Sequence, residues 1–501
     1  MNRHLRYLVV VLLVLYTALF VRLNQIQVFQ AEELNAHDGN NRAAERDYNR
    51  ARGTISTIDG QLVARSVQTS GRFEFQREYP EGELYAHVAG YISFEFGADG
   101  VEKVYNDELA GQTFDFEFDN FSDLFVNDDD VGDVTLTLDH DVQEVAREQL
   151  GDRLGSVVAL DPETGGIIAF WSNPSFDPNL LATNDLEAAE AARTLYLAFP
   201  TKPLLHKMYQ EVYFPGSTFK VVTSAAGLDS GLVTEDEPAY PVATEYTPPL
   251  TTQSISNFGG SSCGGTLFEI LAASCNSAFA EMGAMTLGPN IMVEGAEGFG
   301  FNDSPPIDLP SPAESIFPTD YGEALDPPDS DEPGTIYENT PALAQASIGQ
   351  YEVAATPLQM ALVAAGVAND GVVMRPHVMH DIRDSNGNVV EEYDEGEWLE
   401  AMDSASASTL RQAMIGVVES GTANAMAIPG YEVGGKTGTA QLGTEPPTSH
   451  AWIIGFAGPE GGEPEVVVAV LVQAQEGASE QTGGQVAAPI ARAVLEEALG
   501  A

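Results

Sequence analysis

The sequence predicts an α/β domain on an antiparallel sheet, preceded by a β-rich region and an apolar N-terminal helix. Three observations carry that expectation. Residues 156–160, 161–166 and 167–171 read as strand, turn and strand, with Asp161-Pro162 and Gly165-Gly166 as the turn residues. Residues 433–440, 451–458 and 466–472 read as three strands of a meander near the other end of the chain. Helical patterns lie between these two sets. Helices are therefore inserted into a sheet whose strands come from both sides of them, which is a layered α/β arrangement.

Taken in order, residues 7–21 form an apolar run interrupted only by Thr17 and flanked by Arg3, Arg6 and Arg22. A spanning helix usually needs about 20 apolar residues; flanking arginines can snorkel, and Leu23 extends the run. A cleaved signal peptide is the rival reading, but no small-x-small site directly follows the run. The expectation is an uncleaved single-pass anchor: a cytoplasmic tail at 1–6, a membrane span at 7–23, and everything after it outside the cell. Residues 24–30 can continue the helix as a stalk. Residues 50–64 read as a hairpin around Asp59-Gly60, and 114–133 as an acidic, aromatic exposed loop closing a β-rich region at 24–134. The α/β domain is expected at 135–501, opening on a strand at 134–138. Within it, 181–204 reads as helical, 235–262 as loop, 303–339 as irregular, 344–376 as containing a long buried helix, and 485–499 as a terminal helix.

The formal net charge is −53 over 501 residues, with the acids spread along the chain. A polyanion would be repelled, so nucleic-acid binding is excluded. The spread reads as a solvated acidic surface suited to high salt, where screening relieves self-repulsion. The two cysteines, Cys263 and Cys275, lack zinc-site spacing, and His-Glu-x-x-His is absent, so no metal or cofactor is expected. A disulfide closing a short loop and a pair of buried thiols both remain open.

The chemistry concentrates at Phe214-Pro215-Gly216-Ser217-Thr218-Phe219-Lys220, a loop turning into a helix. Positions three apart share a helix face, so the Ser217 hydroxyl and the Lys220 amine can meet. A lysine can take a hydroxyl proton only when its surroundings keep it neutral. A capping serine and a surface lysine would be the plain alternative, but the chain has only five lysines. Of these, only Lys220 has Ser or Thr three residues before it, and Lys436 opens the only Lys-Thr-Gly. Between them lies Ser274-Cys275-Asn276, the only Ser-x-Asn.

In that order, Ser217-x-x-Lys220, Ser274-x-Asn276 and Lys436-Thr437-Gly438 resemble the three signatures of penicillin-binding proteins and serine β-lactamases. Arg52-Gly53, Tyr79-Pro80 and Gly100-Val101-Glu102 resemble the opening of class B penicillin-binding proteins, and the whole is similar to the A type of actinobacteria. The resemblance implies a five-stranded antiparallel sheet with helices on both faces plus a helical subdomain. A β-rich dimerisation or pedestal domain would precede it, too short to be a glycosyltransferase. It implies that Ser217 attacks the carbonyl between two D-alanines of a cell-wall stem peptide, and that Lys220, kept neutral in part by the Lys436 charge, takes its proton. Ser274 would relay that proton, and Asn276 would bind Lys220 and the substrate amide. The substrate-binding set would be Asn276, Lys436, Thr437, Gly438 and Thr439, with the Lys436 ammonium and two threonine hydroxyls on the terminal carboxylate. The Ser217 and Thr439 N–H groups would form the oxyanion hole. Implied partners are stem peptides, β-lactam antibiotics, the membrane through the N-terminal helix, and a glycosyltransferase of elongation or division. A β-lactamase or D,D-carboxypeptidase would share the acyl-enzyme and differ in letting water resolve it; a noncatalytic scaffold is the reading from another class.

Overall fold

The structure, a computed structural model, describes residues 2–25, 48–111, 131–328, 330–444, 448–474 and 481–501. The five-stranded sheet runs in the order Tyr431–Gln441, Ser449–Pro459, Val466–Val472, Gly155–Leu160, Ile167–Asn173, every pair antiparallel. Strands from the two ends of the α/β half meet side by side, as the hairpin and meander patterns require. Val466–Val472 is buried at every position. Such a strand needs cover on both faces, since alternate side chains point to opposite sides. The helices Pro357–Ala368 and Ala488–Leu499 both pack on it. Every residue of Pro357–Ala368 is buried, which explains why its sequence is apolar all round rather than striped.

A second sheet has six strands in the order Val389–Glu392, Met379–Arg383, Asp133–Leu136, Ile55–Ser56, Leu62–Gln68, Phe75–Glu78. The expected hairpin around Asp59-Gly60 is its Ile55–Ser56 and Leu62–Gln68 pair. Two expectations change here. Asp133 begins a strand rather than ending a loop, and that strand, expected to open the α/β domain, lies against Ile55–Ser56. On its other side it pairs with Met379–Arg383, so residues far along the chain complete a sheet begun near its start. The expected loop at 114–130 and stalk at 26–30 fall outside the described residues.

Buried charge fastens this region. Glu102 is fully buried between Arg52, at 3.0 Å, and Arg77. Burial pushes its carboxyl up, but the two guanidinium groups outweigh that and hold it below the usual carboxylate range. The family-like Arg52-Gly53 and Glu102 positions therefore act structurally. Further ties reach the α/β half: the Tyr105 hydroxyl donates to Asp308 at 2.7 Å, and the Asn179 carboxamide bridges the main chain of Tyr79.

The N-terminal helix spans Asn2–Asn24, longer than the apolar run that marks it. Its segment from Arg3 to Asn24 contains 22 residues and is unburied. At 1.5 Å per residue it is about 33 Å long, enough for a hydrocarbon core of about 30 Å. The expected loop at 235–262 contains two short ladders, Tyr240–Ala243 with Cys263–Gly265 and Glu245–Tyr246 with Ile255–Ser256. Cys263 and Cys275 form a disulfide across a sequence separation of 12.

Candidate active site

The Ser217 segment folds as a 3₁₀ turn, Gly216–Phe219, running directly into the α-helix Lys220–Asp229. Gly216 has φ of +55°, a left-handed conformation that glycine adopts without strain. A Cβ there would also sit 3.0 Å from the Thr439 carbonyl, so the turn can lie against the Lys-Thr-Gly strand only with glycine. The turn is held by Gly216 N–H donating to Gly349 O at 3.0 Å and by the Trp452 indole donating to Phe214 O at 3.0 Å.

Ser274 closes the turn between the helices Leu267–Ala272 and Asn276–Glu281 with φ of +55°. For a residue with a Cβ this conformation costs about 1–3 kcal/mol and persists only where neighbours enforce it. The three motifs converge. Lys220 Nζ donates to Ser274 O and to Asn276 Oδ1, both at 2.7 Å. Lys436 Nζ donates to Ser274 Oγ at 2.8 Å and to Thr437 O at 2.9 Å. Ser274 Oγ also lies 3.4 Å from Lys220 Nζ, so one hydroxyl stands between two amines.

Both lysines are fully buried. Burial pushes Lys220 well below its ordinary value, and the neighbouring Lys436 charge pushes it further the same way. Burial alone brings Lys436 down to about 7. A neutral Lys220 has two N–H groups, which match the two carbonyl oxygens at 2.7 Å and leave its lone pair to accept a proton.

In front of these groups lies a cleft of about 920 Å³, lined by Ser217, Ser274, Asn276, Thr437 and Thr439 among others. Lys220 and Lys436 lie behind its wall rather than on its surface. At Gly438 a Cβ would meet Pro215 O and the Trp452 side chain at 2.9 Å. Its absent side chain lets the strand close on the nucleophile turn. The strand Tyr431–Gln441 is the outer strand of its sheet, with a single strand neighbour.

Sequence reasoning missed four parts of the lining. These are the wall loop at 254–261, the Gln345, Ile348 and Gln350 turn, the segment 482–485, and Thr422 with Asn424, the Thr422 hydroxyl lying 2.7 Å from that of Thr437. Among the described residues, no Asp or Glu lines the cleft, in a chain with 75 of them. That contrast was a usable signal, since the stretches 247–268, 340–351 and 433–444 are free of acids in the sequence.

Residues 155–496 match the family model for the penicillin-binding protein transpeptidase domain, and 52–134 match that for the penicillin-binding protein A dimerisation domain. The chain belongs to the penicillin-binding protein transpeptidases. Among members of this family it is 38% identical to the peptidoglycan D,D-transpeptidase PbpA of Mycolicibacterium smegmatis, covering all of this chain and 99% of that one. It is 37% identical to PbpA of Mycobacterium tuberculosis, with the same coverage. The ceftriaxone acyl-enzyme structure of penicillin-binding protein A from M. tuberculosis is similar with a TM-score of 0.79 and 35% identity, covering 91% of this chain and all of that one.

Proposed function

We propose that this chain is a membrane-anchored peptidoglycan D,D-transpeptidase and a target of β-lactam antibiotics. The observation that carries the proposal is one cleft lined by Ser217, Ser274 and Asn276 with Lys220 and Lys436 bonded to Ser274 and Asn276 behind its wall, burial and the Lys436 charge both pushing Lys220 well below its ordinary value. Full-length similarity to PbpA transpeptidases supports it.

The terminal carboxylate of a D-Ala-D-Ala stem peptide would lie at Thr437 and Thr439, near the Lys436 charge. Lys220 takes the Ser217 proton as Oγ bonds to the penultimate D-alanine carbonyl carbon. Ser217 and Thr439 N–H groups stabilise the tetrahedral oxyanion, worth about 3 kcal/mol each in comparable sites. The carbon–nitrogen bond to the last D-alanine then breaks, its amine taking a proton relayed through Ser274. The amine of a second stem peptide attacks the acyl-enzyme, forming the crosslink and returning the proton to Ser217. Among the described residues no carboxylate lines the cleft, so these walls do not repel an anionic peptide.

Residues 7–23 would anchor the protein with residues 24–134 as pedestal and 135–501 as catalytic unit outside the cell. The disulfide supports this side of the membrane, because disulfides persist in oxidising compartments. In the deciding experiment, Ser217→Ala abolishes covalent labelling by a fluorescent penicillin, and wild type given a donor peptide with an acceptor amine forms crosslinked product. Labelling that survives Ser217→Ala would remove the serine from its role. Release of D-alanine with only hydrolysed donor would make the enzyme a carboxypeptidase.

A further inference from the structure

Asn276 can serve Lys220 only if its carboxamide faces the right way round. The group has a donating and an accepting end of nearly equal size, and a flip would set its NH₂ against the N–H groups of Lys220. The orientation is fixed from the far end, where Asn276 Nδ2 donates to the main-chain carbonyl of Ser256 at 2.9 Å. Ser256 belongs to the wall loop of the cleft and is itself exposed. Something must hold its carbonyl in place.

The next residue does so. Asn257 is 3% exposed in a loop whose neighbours Ser256 and Phe258 are exposed. Its Oδ1 accepts from Ser277 N–H at 2.8 Å, in the first turn of the Asn276 helix. Its Nδ2 faces Ala243 O at 2.9 Å, Ser261 O at 3.1 Å and Ser277 Oγ at 3.1 Å. Its main-chain N–H donates to Thr244 O at 2.9 Å, and its carbonyl accepts from Gly260 N–H at 3.0 Å. One side chain therefore joins the Tyr240–Ala243 strand, the wall loop and the Asn276 helix. The Cys263–Cys275 bond fastens the end of the same loop to the residue between Ser274 and Asn276.

Building on the transpeptidase reading above, we infer that Asn257 is a positioning residue of the active site. By clamping the wall loop to the Asn276 helix it fixes the Ser256 carbonyl, which sets the Asn276 carboxamide and so the Lys220 amine that activates Ser217.

The test is a four-way comparison of the full-length chain in detergent: wild type, Asn257→Ala, Asn276→Ala and the double variant. The readouts are the second-order rate of acylation by a fluorescent penicillin and the melting temperature. Asn257→Ala should slow acylation by up to about 100-fold in the wild-type background, the scale of loss that a remote misplacement of about 1 Å can cause. In the Asn276→Ala background it should slow acylation no further, while lowering the melting temperature equally in both. Equal fractional losses of rate in the two backgrounds, or an unchanged rate in Asn257→Ala, would overturn the inference and leave the transpeptidase reading standing. A wild type that is never acylated would overturn both. Should Asn257→Ala fail to fold, Asn257→Ser, which keeps one hydrogen-bonding atom, enters the same comparison with the same expectations.

Discussion

Ser274 Oγ lies between two buried amines, and the unequal burdens on those amines set the pH behaviour expected of the site. Lys220 must be neutral to accept a proton, and its depressed pKa makes it so at lower pH than an ordinary lysine. Lys436 must be charged to attract a carboxylate, and with its pKa at about 7 it loses that charge as pH rises. For a donor peptide ending in a free carboxylate, kcat/KM should therefore fall as pH rises through about 7. In the bound complex the carboxylate favours the charged amine, so the fall in kcat should come at higher pH. A donor ending in an amide should lack this alkaline fall; the same fall with both donors would remove Lys436 from carboxylate recognition. The motif residues were legible at this scale because the chain is so poor in lysine that the two motif lysines stood out.

At the scale of elements, the strand Tyr431–Gln441 reaches the nucleophile turn only because glycines stand where elements touch. Gly483 is the tightest of these: a Cβ would lie 1.9 Å from Trp452 O and 2.8 Å from Gly438 O. Gly483→Ala should destabilise the protein by about 1–3 kcal/mol, the usual penalty of overpacking, and slow penicillin acylation by displacing the strand. Denaturant titration and labelling rates check the two effects separately. The buried Arg52–Glu102–Arg77 cluster should behave differently. Glu102→Gln leaves two buried guanidinium groups without a countercharge and should cost about 3–5 kcal/mol, with labelling per folded molecule unchanged. Strands and helices of the catalytic half were legible because hairpin and meander patterns are local. The wall loop was not, since its Ser-, Thr- and Gly-rich sequence acquires a role only once Asn257 and the disulfide connect it to a helix later in the chain.

At the scale of the whole molecule, a net charge of −53 makes the folded state repel itself. Raising sodium chloride from about 0.1 M to about 1 M shortens the screening length from about 10 Å to about 3 Å, so the melting temperature should rise across that range. A flat or falling curve would show that the surface carries no such strain. The pairing of Asp133–Leu136 with both Ile55–Ser56 and Met379–Arg383 could not be read from the sequence, because nothing local specifies partners some 80 and 245 residues away.

That pairing interlocks the two halves. If a protease site were introduced between residues 111 and 131 and cut, the severed pieces would remain woven together through the six-stranded sheet and the Tyr105–Asp308 and Tyr79–Asn179 ties. They should travel as one species in native chromatography and part only in denaturant. A tug on the N-terminal half would thus reach the α/β half through paired backbone, and neither could be shed without unravelling the other.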